Sequence, residues 1–215
     1  MSDTPPIHDL RRDYDRNPLK KSELDPDPFA EFRKWFETAR AAQILEPNAM
    51  TLGTADASGR VSCRTVLLKA YDERGLVFFT NYGSRKARQL AENPRASVLF
   101  PWLVLQRQVE VAGRVEKISA AESLTYFLSR PFGSRLGAWV SEQSSVISSR
   151  AVLVAKFDEL KKRFAAGDVP KPEGWGGYRI VPETFEFWQG GHDRLHDRFR
   201  YSLRNGRWEI ARLAP

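Results

Sequence analysis

The segments Arg64-Thr65-Val66-Leu67-Leu68-Lys69, Asp72-Glu73-Arg74-Gly75, Leu76-Val77-Phe78-Phe79-Thr80 and Asn81-Tyr82-Gly83-Ser84-Arg85-Lys86 decide how the chain is read. The two β-branched and aromatic runs predict strands, and the polar residues around Gly75 predict a hairpin turn between them. Ser84 stands at the N-cap of a helix predicted to run to Asn93 and stop at Pro94. A strand end and a helix start carrying Arg64, Lys69, Arg85 and Lys86 suit a phosphate, because exposed N–H groups and side-chain cations would both face it. A solvated basic surface has the same spacing, so spacing alone leaves both readings open.

Outward from this stretch the chain keeps to short runs and turns. Residues 1–27 are polar and proline-bearing, with Arg11-Arg12-Asp13-Tyr14 and Lys20-Lys21, and predict a mobile N-terminal arm before a single domain over 28–215. Asp27 and Pro28 form an N-cap and first-turn pair, after which Phe29, Phe32, Phe36 and Ala39 share one helical face suited to a sheet. Strands are predicted at 49–56, 95–102 and 108–118, where Val109, Val111, Gly113 and Val115 alternate with polar residues. Ser119 with Glu122 makes a capping box for one helix, and Ser149 caps another that closes at Gly167. Two further strand-like runs, 175–181 and 184–188, precede a hairpin of 199–203 and 208–213 around Asn205-Gly206. The class is mainly β and antiparallel, a sheet or barrel with peripheral helices.

The 215 residues, 41% hydrophobic, support a sizeable core. No run reaches the length of a membrane-spanning helix and Met1 to Asp9 is polar, so the expected location is cytoplasmic, without membrane contact. A single cysteine, Cys63, excludes an internal disulfide and a cysteine-based zinc site. A net charge of +7 favours anionic partners. Arginines scattered among acids, with no basic tail, weigh against nucleic acid, and six tryptophans among apolar strands read as core rather than stacking platforms.

Tyr126 and Arg130 lie four residues apart on one helix face, and Ser134 follows Pro131; a hydroxyl, a guanidinium and a second hydroxyl can hold a phosphate, though a surface Tyr-Arg pair has the same spacing. In Trp188-Gln189-Gly190-Gly191-His192-Asp193-Arg194-Leu195-His196-Asp197-Arg198, the alternation of Arg194, His196 and Arg198 would put all three on one side of an extended chain. His192 and His196 have the spacing of a helical metal pair, but the glycines oppose a helix and no glutamate completes a zinc-protease motif, so no metal is expected. No nucleophile elbow, Walker loop or dinucleotide fingerprint is present.

These motifs resemble the pyridoxamine 5′-phosphate oxidase family. The resemblance runs from Arg11 to Pro215 and is carried by Arg64 to Lys69, Phe79-Thr80-Asn81, Gly83-Ser84-Arg85-Lys86, Ser129-Arg130-Pro131, Gly137-Ala138-Trp139-Val140-Ser141, Gln143-Ser144-Ser145, Phe187-Trp188-Gln189-Gly190, Arg194 to Arg198 and Arg212 to Pro215. It implies an FMN-binding split β-barrel and a homodimer with active sites at the interface. It also implies oxidation at C4′ of pyridoxamine or pyridoxine 5′-phosphate to pyridoxal 5′-phosphate, with O2 as electron acceptor and H2O2 produced. By matching motif positions, FMN contacts fall on Arg64, Thr65, Val66, Leu67, Leu68, Lys69, Phe79, Thr80, Arg85, Lys86, Gln108, Gln143, Ser144, Trp188 and Arg198. The substrate phosphate falls to Lys69, Tyr126, Arg130 and Ser134, and the pyridine ring to Arg194, Leu195 and His196, with Arg194 and His196 in the catalytic roles. Arg11 and Tyr14 belong to the arm that closes the site. Phe79 stands where many members have tyrosine, so contact there is expected from backbone or ring face. Arg64 and Lys69 have opposite strand parity, so one site can use both only through a bulge, a twist or a reach around the strand end.

Overall fold

Helix α1 (Pro28–Ala41) begins where Asp27 and Pro28 predict. In the computed structural model, which describes residues 6–10, 13, 14 and 17–215, the Asp27 carboxylate accepts from the N–H groups of Phe29 and Ala30 at 3.1 and 3.3 Å. These bonds satisfy donors that the first helical turn leaves open.

The chain divides into two compact units. One comprises the described part of Met1–Pro47 with Leu99–Val111 and Thr184–Pro215; the other comprises Asn48–Val98 and Ala112–Glu183. Nine strands form one sheet: β1 (Ala49–Ala55), β2 (Val61–Leu67), β3 (Ala70–Asp72), β4 (Gly75–Asn81), β5 (Arg95–Trp102), β6 (Arg107–Lys117), β7 (Trp175–Gln189), β8 (Asp197–Arg204) and β9 (Arg207–Leu213). Their order is β2-β1-β5-β6-β7-β4-β3, with β8 paired to β7 and β9 to β8. The β1–β2, β3–β4, β4–β7, β7–β8 and β8–β9 pairs are antiparallel.

In the first unit the apolar face of α1 meets aromatic strand residues: Phe32 lies 5.1 Å from Phe100, Phe29 lies 5.1 Å from Phe185 and Trp35 lies 5.2 Å from Phe187. Full burial of such a ring contributes on the order of 2–3 kcal/mol. The β8–β9 turn matches its residues, since Asn205 and Gly206 both take positive φ (49° and 75°) as a type I′ turn requires.

The second unit departs from the expected hairpin. Strand β2 pairs with β1, from Ala49↔Leu67 to Ala55↔Val61, and only the short β3 pairs with β4. The chain changes partner at Leu68 and Lys69, whose N–H groups bond Asn48 O and Val77 O at 2.8 and 2.9 Å. Leu68, 5% exposed, pins that crossover. The parity problem of Arg64 and Lys69 thereby disappears, because Lys69 lies beyond the end of β2.

Helix α2 (Arg85–Glu92) starts after Ser84, whose buried hydroxyl faces Thr80 Oγ1 at 3.5 Å instead of capping. The capping box of Ser119 and Glu122 starts α3 (Ala120–Ser129), and α5 (Arg150–Arg163) follows Ser149 without a side-chain cap bond. Between them Phe132–Val140 forms α4, a helix where the sequence shows only a short apolar run. Runs 175–181 and 184–188 are one continuous strand, β7. Pro182 is tolerated because it stands where the register changes from β4, ending at Ile180, to β8, starting at Thr184. Among the described residues no helix is long and apolar enough to cross a membrane.

Candidate functional site

A cavity of about 520 Å³ opens in the second unit. Thr65, Val66, Leu67 and Lys69 line it from the end of β2 and the crossover, Phe79, Thr80 and Asn81 from β4, and Lys86 from α2. Tyr126 of α3, Arg130, and Ser134, Gly137 and Ala138 of α4 also line it, with Ser141, Gln143 and Trp175. The four residues expected around the substrate phosphate, Lys69, Tyr126, Arg130 and Ser134, therefore share one cavity.

Among the described residues its cations, Lys69, Lys86 and Arg130, form no ion pair with a carboxylate. Arg130 Nη1 is buried without a hydrogen-bond partner among the described residues, and its guanidinium lies 4.9 Å from the Trp175 ring centroid. Burial lowers its pKa from the ordinary value. A buried donor left unbonded costs on the order of 1–3 kcal/mol, a cost that an anion entering the cavity would remove. Lys86 Nζ donates to Thr80 Oγ1 and Gln143 Oε1 at 3.0 and 2.8 Å, both neutral. Burial, and then the nearby charge of Arg64, lower its pKa to about 8.

Arg64 does not line the cavity. Its Nη1 donates to Leu52 O and Thr54 Oγ1 at 3.1 and 2.6 Å, and its Nη2 to Ser62 Oγ at 2.5 Å. Burial is the main cause of its lowered pKa. Leu68 is core, while Arg85 is exposed on α2, with its backbone N–H 3.3 Å from Ser144 Oγ. Phe79 stacks on Tyr126, centroids 3.9 Å apart, and on Trp175 at 5.2 Å, so its ring holds the Tyr126 ring in place.

The remaining candidates belong to the first unit. A pocket of about 910 Å³ is lined by Tyr14, Gln108, Trp188, Arg194 and His196 among others. The Tyr14 ring meets Trp188 and His196 edge-on at 5.9 and 5.7 Å. Gly190 seats it: a Cβ there would come within 2.7 Å of the ring. Gly191 N–H donates to His196 Nδ1 at 3.2 Å, so a neutral His196 carries its proton on Nε2.

The extended alternation expected of Arg194, His196 and Arg198 is not what folds. His192–Arg194 is a 3-10 turn with Asp193 and Arg194 at φ 52° and 63°, and β8 starts only at Asp197. Arg194 and His196 share the larger pocket, whereas Arg198 lines a cleft of about 260 Å³ with Gln108, Trp188 and Glu186. Leu195 lines neither and is 72% exposed. Arg11 lies outside the described residues.

Sequence reasoning missed Asn81, Gly137, Ala138, Ser141 and Trp175 as lining residues. Ser134, Gly137 and Ala138 recur at spacings of three and one, the signature of one helical face. Gly133 and Gly137 mask that face, since glycine counts against a helix in a local reading.

A family model described as pyridoxamine 5′-phosphate oxidase matches residues 36–164, and one described as the pyridoxine 5′-phosphate oxidase C-terminal dimerisation region matches residues 175–215. A curated pyridoxine/pyridoxamine 5′-phosphate oxidase of Rippkaea orientalis is 57% identical over 207 residues, covering 96% of this chain and 98% of the relative. The protein of that name from Aliarcobacter butzleri is 57% identical over 210 residues, covering 97% and 99%. Among solved structures, PhzG from Burkholderia lata in complex with tetrahydrophenazine-1-carboxylic acid is 32% identical, with a TM-score of 0.87 over 93% of this chain and 98% of that one. A pyridoxamine 5′-phosphate oxidase-related, FMN binding protein from Nostoc punctiforme is 15% identical with a TM-score of 0.70, covering 89% and 100%. This second likeness bears on the fold alone, which is the expected FMN-binding split-barrel class.

Proposed function

The chain belongs to the pyridoxine/pyridoxamine 5′-phosphate oxidase family, and we propose that it converts pyridoxamine and pyridoxine 5′-phosphates to pyridoxal 5′-phosphate with FMN as cofactor. In this reading O2 is the electron acceptor and H2O2 the co-product. The observation that carries it is Arg130: a half-buried guanidinium with an unbonded Nη1, beside Tyr126, Ser134 and Lys69 in one cavity. A protein that bound only a flavin would have no use for this second anion set.

When bound, FMN supplies the two-electron acceptor for oxidation at C4′. The donors fit such a group: among the described residues the hydrogen bonds of Arg64 and Lys86 go to neutral oxygens, which leaves their charge for a cofactor phosphate. We assign Arg64, Thr65, Val66, Leu67, Lys69, Phe79, Thr80, Arg85, Lys86, Gln108, Gln143, Ser144, Trp188 and Arg198 to holding FMN, and leave Leu68 to the core. Lys69, Tyr126, Arg130 and Ser134 then hold the substrate phosphate. These contacts are remote from C4′ and serve to fix the substrate's position, which is the larger part of what a binding site contributes to such a reaction. Arg194 orients the pyridine ring, and His196 donates from Nε2 beside it. The arm on the single domain ends before Asn17 and Leu19, which are bonded to Gln189 and Asp197, and Tyr14 closes over the substrate. The C-terminal match supports a homodimer, and we place the active sites at its interface.

Spectroscopy tests this directly. The purified protein should take up FMN stoichiometrically, turn yellow and form pyridoxal 5′-phosphate from pyridoxamine 5′-phosphate in air. A protein that binds no FMN would overturn the proposal.

A further inference from the structure

We infer that Gln89 is a positioning residue that presets Arg64 for the phosphate of FMN; this rests on the reading that Arg64 holds that group. Gln89 projects from α2 and is 4% exposed. Its single side-chain oxygen accepts from Thr54 Oγ1 at 2.6 Å and from Ser62 Oγ at 2.8 Å, while its Nε2 donates to Arg60 O at 3.3 Å. The same two hydroxyls accept from Arg64, at Nη1 and Nη2 respectively.

Each hydroxyl has one proton to give. Because Gln89 takes both, the lone pairs of Thr54 and Ser62 are turned towards the guanidinium, so one amide oxygen fixes the acceptors on both ends of Arg64. Thr54 lies on β1, Ser62 and Arg64 on β2, and Gln89 on the helix that also carries Lys86. The amide thus sets the β1–β2 pair and the start of α2 in register with each other.

An amide suits this task better than a carboxylate. Glutamate would accept from the same hydroxyls, but its charge would cancel part of the positive potential that a phosphate needs. Glutamine orients Arg64 and leaves its charge uncompensated.

The test is a titration of FMN-free protein with FMN and with riboflavin, which lacks the phosphate, followed by flavin fluorescence. Gln89→Met should raise the FMN Kd about 5- to 20-fold and leave that for riboflavin within about twofold, as expected for loss of hydrogen bonds that act only through the phosphate. Arg64→Ala should abolish most of the preference for FMN, and adding Gln89→Met to it should then change nothing further. Should Gln89→Met not fold, Gln89→Glu is the nearest isostere, and it should weaken FMN and spare riboflavin. Equal weakening of both flavins, or a Gln89→Met effect that persists in full without Arg64, would overturn the inference. If Arg64→Ala keeps the full preference for FMN, the assignment of Arg64 itself has failed, and Gln89 falls with it.

Discussion

Arg64, Lys86 and Arg130 in the second unit have neutral partners or an unbonded nitrogen, whereas Arg198, Arg200 and Arg212 on β8 and β9 each meet a carboxylate. Glu186 binds Arg198 at 2.7 Å and Arg200 at 3.0 Å, and Asp197 binds Arg212 while also accepting from Leu19 N–H at 2.7 Å. Both groups contribute to the same net charge, and composition cannot separate them. Arg200 and Arg212, to which no ligand is assigned, have their charge met within the protein; Arg64, Lys86 and Arg130 have theirs met only when an anion arrives. A cation that costs stability where it sits is the better functional candidate.

Replacement of Arg130 should break this contrast most sharply. Arg130→Met should lower kcat/KM for pyridoxamine 5′-phosphate by about 100-fold, on the order of 3 kcal/mol, chiefly through KM, with FMN affinity close to wild type and the melting temperature raised by a few degrees. In the C-terminal hairpin the opposite outcome is expected. Asp197→Ala strands Arg212 and the Leu19 N–H, and should cost about 2 kcal/mol of stability in a urea titration.

A smaller effect is expected at Gly190, where the added methyl of Gly190→Ala cannot share space with the Tyr14 ring. If that ring closes over the substrate, KM should rise about 3- to 10-fold, roughly 1 kcal/mol, with FMN affinity unchanged. An unchanged KM would remove Tyr14 from the site.

The mildest test is pH. Lys86 loses its proton near pH 8 rather than at its ordinary 10.5, so FMN affinity should decline as pH rises through about 8. Calorimetry in buffers of different ionisation enthalpy should then detect proton uptake on FMN binding. Between those two values the unfolded chain holds more protons than the folded one at this site. From Lys86 alone, the FMN-free protein therefore gains stability as pH rises across that window, the reverse of a lysine held by a carboxylate.

Local devices were legible in the sequence because one segment contains everything they need: the Asp27-Pro28 start, the Ser119-Glu122 box and the Asn205-Gly206 turn each bond within a few residues. The partner of β2 was not, because two neighbouring hairpins compete for one run of backbone: β2 pairs with β1 up to Leu67, and the chain passes to β4 from Ala70, a choice that local propensity does not rank. Helix α4 was hidden by two glycines, which local propensity counts against a helix, and by Pro131, which reads as the stop of α3 before it reads as a start. At the candidate site, the residue types in the cavity were readable through the family resemblance. Which cations lack a carboxylate partner was not, since that depends on where each side chain is aimed: Arg64 bonds Thr54 and Ser62, and Lys86 bonds Thr80 and the distant Gln143, all neutral.

The central claim is that this cavity binds a B6 vitamer through its phosphate and delivers it for oxidation. The FMN-loaded protein should therefore be mixed without oxygen with pyridoxamine 5′-phosphate, and in parallel with pyridoxamine. The phosphorylated compound should bleach the flavin absorbance, with colour returning on aeration, while pyridoxamine at equal concentration should bleach it at least about 100-fold more slowly, the factor expected for losing one charge-assisted anchor. Absence of bleaching by the phosphate, or equal bleaching by both compounds, would contradict the account.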